Sequence, residues 1–126
     1  MAILKGSNLV FKKPDNLALT VAGANSGDPV AVGGITGVAL IDAEDDGTCI
    51  IRRKGVFELN VEGVNMVENE SVWEYGNIAV SVGDKLYYDA TRAIKINKND
   101  HSGTFFGYAL GTVGSGANAT IQVLLK

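Results

Sequence analysis

His101 is the only histidine in the chain. It lies in the polar run Asn99-Asp100-His101-Ser102 with no nucleophile beside it. A Ser-His-Asp arrangement would need it to meet a distant serine and aspartate, and no Gly-x-Ser-x-Gly elbow occurs. His101 therefore reads as a surface residue. The stretch Asp42-Ala43-Glu44-Asp45-Asp46-Gly47 imitates the start of a calcium loop, with acids at its first, third and fifth positions and glycine at its sixth. The twelfth position is Arg53, where such a loop places a bidentate glutamate, so an acidic hairpin turn is the expectation. Cys49 sits beside Ile50 and Ile51, the setting of a buried, inert thiol. No Gly-Lys-Ser/Thr triplet accompanies the glycine pairs, so no phosphate loop is present. No paired general acid and base can be assembled. Catalytic, cofactor-binding and metal-ligating residues are accordingly assigned to no position, no cofactor is expected, and an enzyme is not expected.

What remains is chemistry of contact. Arg52-Arg53-Lys54 is a compact basic run that either meets an acidic neighbour or is solvated. Trp73, Glu74 and Tyr75 combine aromatics with an acid, as a sugar-binding platform does. Packing of Trp73 in a core or subunit interface is the favoured alternative. Leu4, Leu9, Val10 and Phe11 are apolar residues in a segment otherwise made of lysine, asparagine, proline and aspartate.

Composition narrows the class. A chain of 126 residues is enough for one domain with one modest core. Hydrophobic residues at 46% argue against disorder, and 16 glycines against two prolines call for many tight turns. A net charge of -3 excludes the basic footprint of a nucleic-acid binder. No apolar run approaches the length of a membrane span. A single cysteine permits no intrachain disulfide and fits synthesis in a reducing compartment, and no signal peptide is expected in Ala2-Ile3-Leu4-Lys5.

The elements that position these residues read as strands. Residues 1–16 form an N-terminal arm without sustained periodicity, and 17–126 a single β-domain. Leu17, Leu19 and Val21 alternate with small or polar residues. Pro29–Val32, Thr36–Leu40, Thr48–Arg53, Phe57–Val61, Lys85–Asp89, Thr104–Val113 and Ile121–Leu125 follow as strands, separated by Gly-Gly, Asp-Gly and other turn signals. Residues 63–77 are ambiguous: Val64, Val67 and Val72 hint at a helical turn, whereas Val72, Trp73 and Tyr75 suit a strand. Asn97–Gly103 reads as a polar turn. Gly107 and Gly111 leave one face of their strand bare, which calls for a close backbone approach or a bend.

One signature occurs twice. Gly27-Asp28-Pro29-Val30 leads to Gly37-Val38-Ala39-Leu40 and closes on Cys49-Ile50-Ile51. Gly83-Asp84-Lys85-Leu86 leads to Gly107-Tyr108-Ala109-Leu110 and closes on Ile121-Gln122-Val123-Leu124. The expected fold is all-β, a small barrel or sandwich of about nine short strands built from two similar halves.

These ordered motifs, together with Gly55-Val56-Phe57-Glu58-Leu59, resemble the small tailed-phage capsid proteins called cement or decoration proteins. Val82-Gly83-Asp84-Lys85-Leu86-Tyr87-Tyr88-Asp89 resembles that family's Gly-Asp-x-Val-Tyr strand. The likeness covers about residues 17–126; the connection from Val64 to Ile78 is longer than usual. The resemblance implies a virion protein on the outer capsid surface, made in the host bacterial cytoplasm. It implies the major capsid protein as partner, self-association as a trimer (a dimer being the alternative), and no catalytic residues. Leu4, Leu9, Val10, Phe11, Arg52, Arg53, Trp73 and Tyr75 are then the candidate contact residues. A carbohydrate- or receptor-binding β-module is the competing reading.

Overall fold

Alternating apolar and polar residues between glycine turns give strands wherever one face can be buried. The computed structural model describes residues 16–21 and 23–126, and among them there are eleven strands and no helix. They are β1 (Asn16–Thr20), β2 (Pro29–Val32), β3 (Ile35–Ala39), β4 (Thr48–Arg52), β5 (Gly55–Glu62), β6 (Val64–Asn69), β7 (Val72–Asn77), β8 (Lys85–Tyr88), β9 (Ile96–Asn97), β10 (Thr104–Ala109) and β11 (Asn118–Leu125). The first four make an open sheet in the order β1-β4-β3-β2. A second group closes into a barrel, β10-β11-β5-β9-β8, and β6 and β7 stand as a separate hairpin. The pairings are antiparallel except that of β5 with β9, where Val61 lies beside Ile96.

The two halves match at the level of single hydrogen bonds. In the first, Gly27 N donates to Ala39 O at 2.7 Å, Ala39 N to Asp28 O at 2.9 Å, and Leu40 N to Ile50 O at 2.9 Å. In the second, Gly83 N donates to Ala109 O at 2.7 Å, Ala109 N to Asp84 O at 2.9 Å, and Leu110 N to Gln122 O at 2.9 Å. Gly27 and Gly83 hold φ of 91° and 92°, the region where a Cβ is costly. The carboxylates of Asp28 and Asp84 each accept a backbone N–H three residues upstream, from Asn25 and Ser81. Ladder register makes β1 the counterpart of β5, β2 of β8, β3 of β10 and β4 of β11.

The bare positions have the expected cause. A Cβ on Gly37 would stand 2.6 Å from the Arg52 carbonyl oxygen, and one on Gly107 2.5 Å from that of Leu124. A register shift between Phe105 and Gly107 bends β10 as well.

Two elements lie outside the nine-strand expectation. Residues 63–77 hold no helical turn; β6 and β7 pair from Val64 with Asn77 to Asn69 with Val72. The hairpin turns on Glu70 and Ser71 at φ of 52° and 69°, the conformation a two-residue turn needs but one that glycine or asparagine normally supplies. β9 has two residues, too few for periodicity to register. It also opens the Asn97–Gly103 stretch, where Asn97 and Asn99 are wholly buried rather than solvated in a polar turn.

Buried apolar residues form two clusters rather than one core. The barrel cluster includes Leu59, Val61, Leu86, Ile96, Ala109, Ile121 and Val123. The open sheet has the smaller set Ala24, Val30, Ala39, Cys49 and Ile51, with Leu17, Leu19 and Val21 only half-buried against it. Val38 of β3 packs into the barrel cluster, and β2 and β3 meet their own counterparts β8 and β10, so the halves share one interface.

Candidate interaction surface

The β6–β7 hairpin is held to the barrel by a polar knot centred on Asp89, just past β8. Asp89 is buried. Its Oδ1 accepts the Thr91 hydroxyl at 2.6 Å and the Thr91 N–H at 3.1 Å. Its Oδ2 accepts the Tyr75 hydroxyl at 2.5 Å, Asn99 Nδ2 at 2.8 Å and Asn97 Nδ2 at 3.4 Å. Burial by itself would push this carboxyl's pKa up; the donors from Thr91, Tyr75 and Asn99 outweigh it and hold the group well below the usual carboxylate range. Burial and the bond to Asp89 push the Tyr75 phenol up.

Beside the knot, Arg92 grips both carboxylate oxygens of Glu62 at 2.9 Å and lays its guanidinium 4.4 Å from the Tyr75 ring centroid. Trp73 stacks on His101 with centroids 3.7 Å apart and planes inclined by 12°. Strand alternation puts Trp73 and Tyr75 on the inner face of the hairpin. The outer face carries Val67 and Val72, exposed by 44% and 62%, with Glu74 between them. A pinned hairpin that exposes two valines among polar neighbours suits contact with another protein surface rather than chemistry on a small molecule.

Of the residues proposed from sequence, Trp73 and Tyr75 are brought together here. Trp73 is 43% exposed, so it is not a core residue, and His101 covers one face of its ring. Glu74 points to the opposite side and receives Asn69 Nδ2 at 3.1 Å, so no platform of Trp73, Glu74 and Tyr75 forms. Arg52 and Arg53 are exposed at the end of β4, and Arg52 Nε donates to Lys54 O at 2.9 Å. They stand apart from the hairpin, on the open sheet. Leu4, Leu9, Val10 and Phe11 lie outside the described residues.

The acidic turn 42–47 uses its carboxylates locally. Asp42 accepts Ser26 N–H at 2.8 Å and Asp46 accepts Thr48 N–H at 2.9 Å, the latter bond lowering the Asp46 pKa. Among the described residues no group of three or more His, Cys, Asp or Glu side chains is placed to hold a metal ion. Cys49 is fully buried, and its thiol faces the Ile41 carbonyl at 3.3 Å. Sequence reasoning missed Asp89, Thr91, Arg92, Asn97 and Asn99. The usable signal was the alternation of Ile94 and Ile96 with polar neighbours inside an apparently polar stretch.

A family model described as phage cement protein matches residues 12–125. No curated protein and no solved structure matches the chain.

Proposed function

Since the chain belongs to the phage cement protein family, we propose that it binds the outer surface of a phage head and clamps neighbouring major-capsid subunits. The family match over residues 12–125 is the observation that carries this reading. The pinned hairpin supports it: the polar groups of the knot are satisfied within the chain, and the outer face presents the exposed Val67 and Val72 beside Glu74 and Asn69. The role is structural, without catalysis. The proposed contact residues are Trp73, Tyr75 and the outer face of the hairpin, Arg52 and Arg53, and Leu4, Leu9, Val10 and Phe11 of the 1–16 arm, which lies on a neighbouring subunit or the capsid. The remainder, 17–126, serves as the β-domain that carries them. Self-association as a trimer, with a dimer as alternative, sets the local symmetry axis the clamp occupies. Many copies around one shell add multivalent holding to a modest contact each.

The test is cosedimentation of the purified protein with expanded heads that lack it. Saturable binding at a fixed ratio to the major capsid protein is the expected result; no binding to such heads would overturn the proposal. A variant lacking residues 2–15 tests the arm separately, and unchanged affinity removes the arm from the clamp.

A further inference from the structure

The two halves differ in closure. After β8, the chain makes the excursion 89–103 before β10, and inside it β9 slots between β8 and β5. Tyr87 and Tyr88 pair with Asn97 and Ile96, Val61 lies beside Ile96, and the Ile96 side chain is wholly buried in the barrel. In the first half, β2 turns through Gly33-Gly34 straight into β3. The slot equivalent to that of β9, between β2 and β1, holds no strand among the described residues.

The empty slot has measurable consequences. By register, Leu19 and Val21 are the counterparts of Leu59 and Val61. Leu59 and Val61 are 4% and 0% exposed; Leu19 and Val21 are half-buried, with no counterpart of Ile96 beside them among the described residues. Asp28 O bonds Ala39 N, so by alternation Ala31 turns its N–H and C=O to the free edge, as Tyr87 does towards β9. Pro29, with no donor to lose, sits on the same edge. A cleft of about 530 Å³ is lined by Val21, Ala24, Pro29 and Val30 of this half together with Tyr88 and Ile94 of the other. The charged residues lining it are Asp28, Glu58 and Lys95.

We propose that this slot receives the N-terminal segment of a second copy of the chain, which adds as a strand between β2 and β1 and closes the half-barrel. The occupant must be extended, with an apolar residue aimed inward. Leu9-Val10-Phe11 provides Leu9 and Phe11 on one face, and Lys12-Lys13 follow to meet the Asp28 and Glu58 carboxylates. Direction favours a second copy over the chain's own arm. β9 runs parallel to β5, so the occupant runs parallel to β1. A parallel crossover needs about a dozen residues or more, whereas only the four residues 12–15 separate Phe11 from Asn16 of the same chain. A second copy's segment carries no such tether, and exchange of an element between copies is a low-cost route to an oligomer. The slot exchange deepens the self-association proposed above and rests on it, but it does not depend on capsid binding and is tested without heads.

Full-length Ala31→Cys and Val10→Cys variants are mixed with oxidised glutathione, Cys49 being left in place because it is buried. Thr20→Cys, on the β1 edge, serves as a second slot position should Ala31→Cys fail to fold by circular dichroism. The expected result is a disulfide-linked mixed dimer forming at least tenfold faster than with Val82→Cys, an exposed position outside the slot. A rate equal to the Val82→Cys control overturns the proposal. So does a double variant, Val10→Cys with Ala31→Cys, that links within one chain at high dilution, because the arm then fills its own slot. A strict monomer by light scattering at every concentration overturns it too.

Discussion

Replacing Asp89 by asparagine tests the polar knot that holds the hairpin. The substitution keeps the shape and removes the charge. One oxygen still accepts Thr91, but the new amide nitrogen faces Asn99 Nδ2 and Tyr75 Oη where Oδ2 accepted at 2.8 and 2.5 Å. The tyrosine hydroxyl can rotate to accept, and Asn99 keeps Ser102 Oγ at 2.8 Å, so the loss amounts to one charge-assisted bond and weakening of the rest. Such bonds are worth about 1.5–3 kcal/mol each, which puts the destabilisation at about 2–4 kcal/mol. For a domain of this size that is a fall in Tm of roughly 6–15 °C at pH 7. The sign with pH follows from the depressed native pKa. Stability from a depressed carboxyl is fully present above the unfolded value of about 3.9 and is lost as pH falls towards the folded one. The wild-type advantage over the asparagine variant should therefore shrink, by about 1 kcal/mol, between pH 7 and pH 3. Thermal unfolding of both proteins at the two pH values measures it. A variant within 2 °C of wild type at pH 7, or a gap that does not narrow at pH 3, would refute the reasoning.

Gly37→Ala and Gly107→Ala should each cost about 1–3 kcal/mol in urea unfolding, because each new methyl meets a carbonyl oxygen of the opposite strand. Gly34→Ala, with open space around it, should be near neutral; equal effects at all three would count against the shared backbone approach. Ile96→Ala should cost about 2–5 kcal/mol, since it removes the fully buried apolar side chain that β9 adds to the barrel cluster. Trp73 is the only tryptophan, so its fluorescence reports on the hairpin alone. His101→Ala uncovers one ring face and should shift the emission to longer wavelength, whereas an unchanged spectrum would mean the stack does not persist in solution.

The duplication was legible because backbone geometry dictates its residues. Gly27 and Gly83 need positive φ, Asp28 and Asp84 close their turns, and Gly37 and Gly107 admit an opposing carbonyl; each requirement leaves one permitted residue type or very few. The hairpin was harder to read. Its turn residues, Glu70 and Ser71, carry no turn signal, and their positive φ is imposed by the pairing on either side. The knot was hidden for another reason. Tyr75, Asp89 and Asn99 are separated in sequence and come together only after the barrel closes, and Asp89 and Asn99 are of types that usually face water.

Closure of one half and not the other turns on a single interval. From Gly27 to Gly37 the chain has room for one hairpin with a two-residue turn; from Gly83 to Gly107 the same two landmarks are separated by an entire excursion. That excursion supplies β9, which seals the barrel, and Asp89, Thr91, Arg92, Asn97, Asn99 and His101, which pin the hairpin. Barrel closure and the exposed hairpin face thus share one cause. The half that lacks the excursion keeps its Gly-Asp turn and its ladder, because those need only local geometry. Among the described residues it has no closing strand and no inward apolar residue there, and Leu19 and Val21 are only half-buried. A free backbone edge beside half-buried apolar side chains is the chemistry that main-chain addition of another strand satisfies, and β2 and β1 of the half with the shorter interval present it.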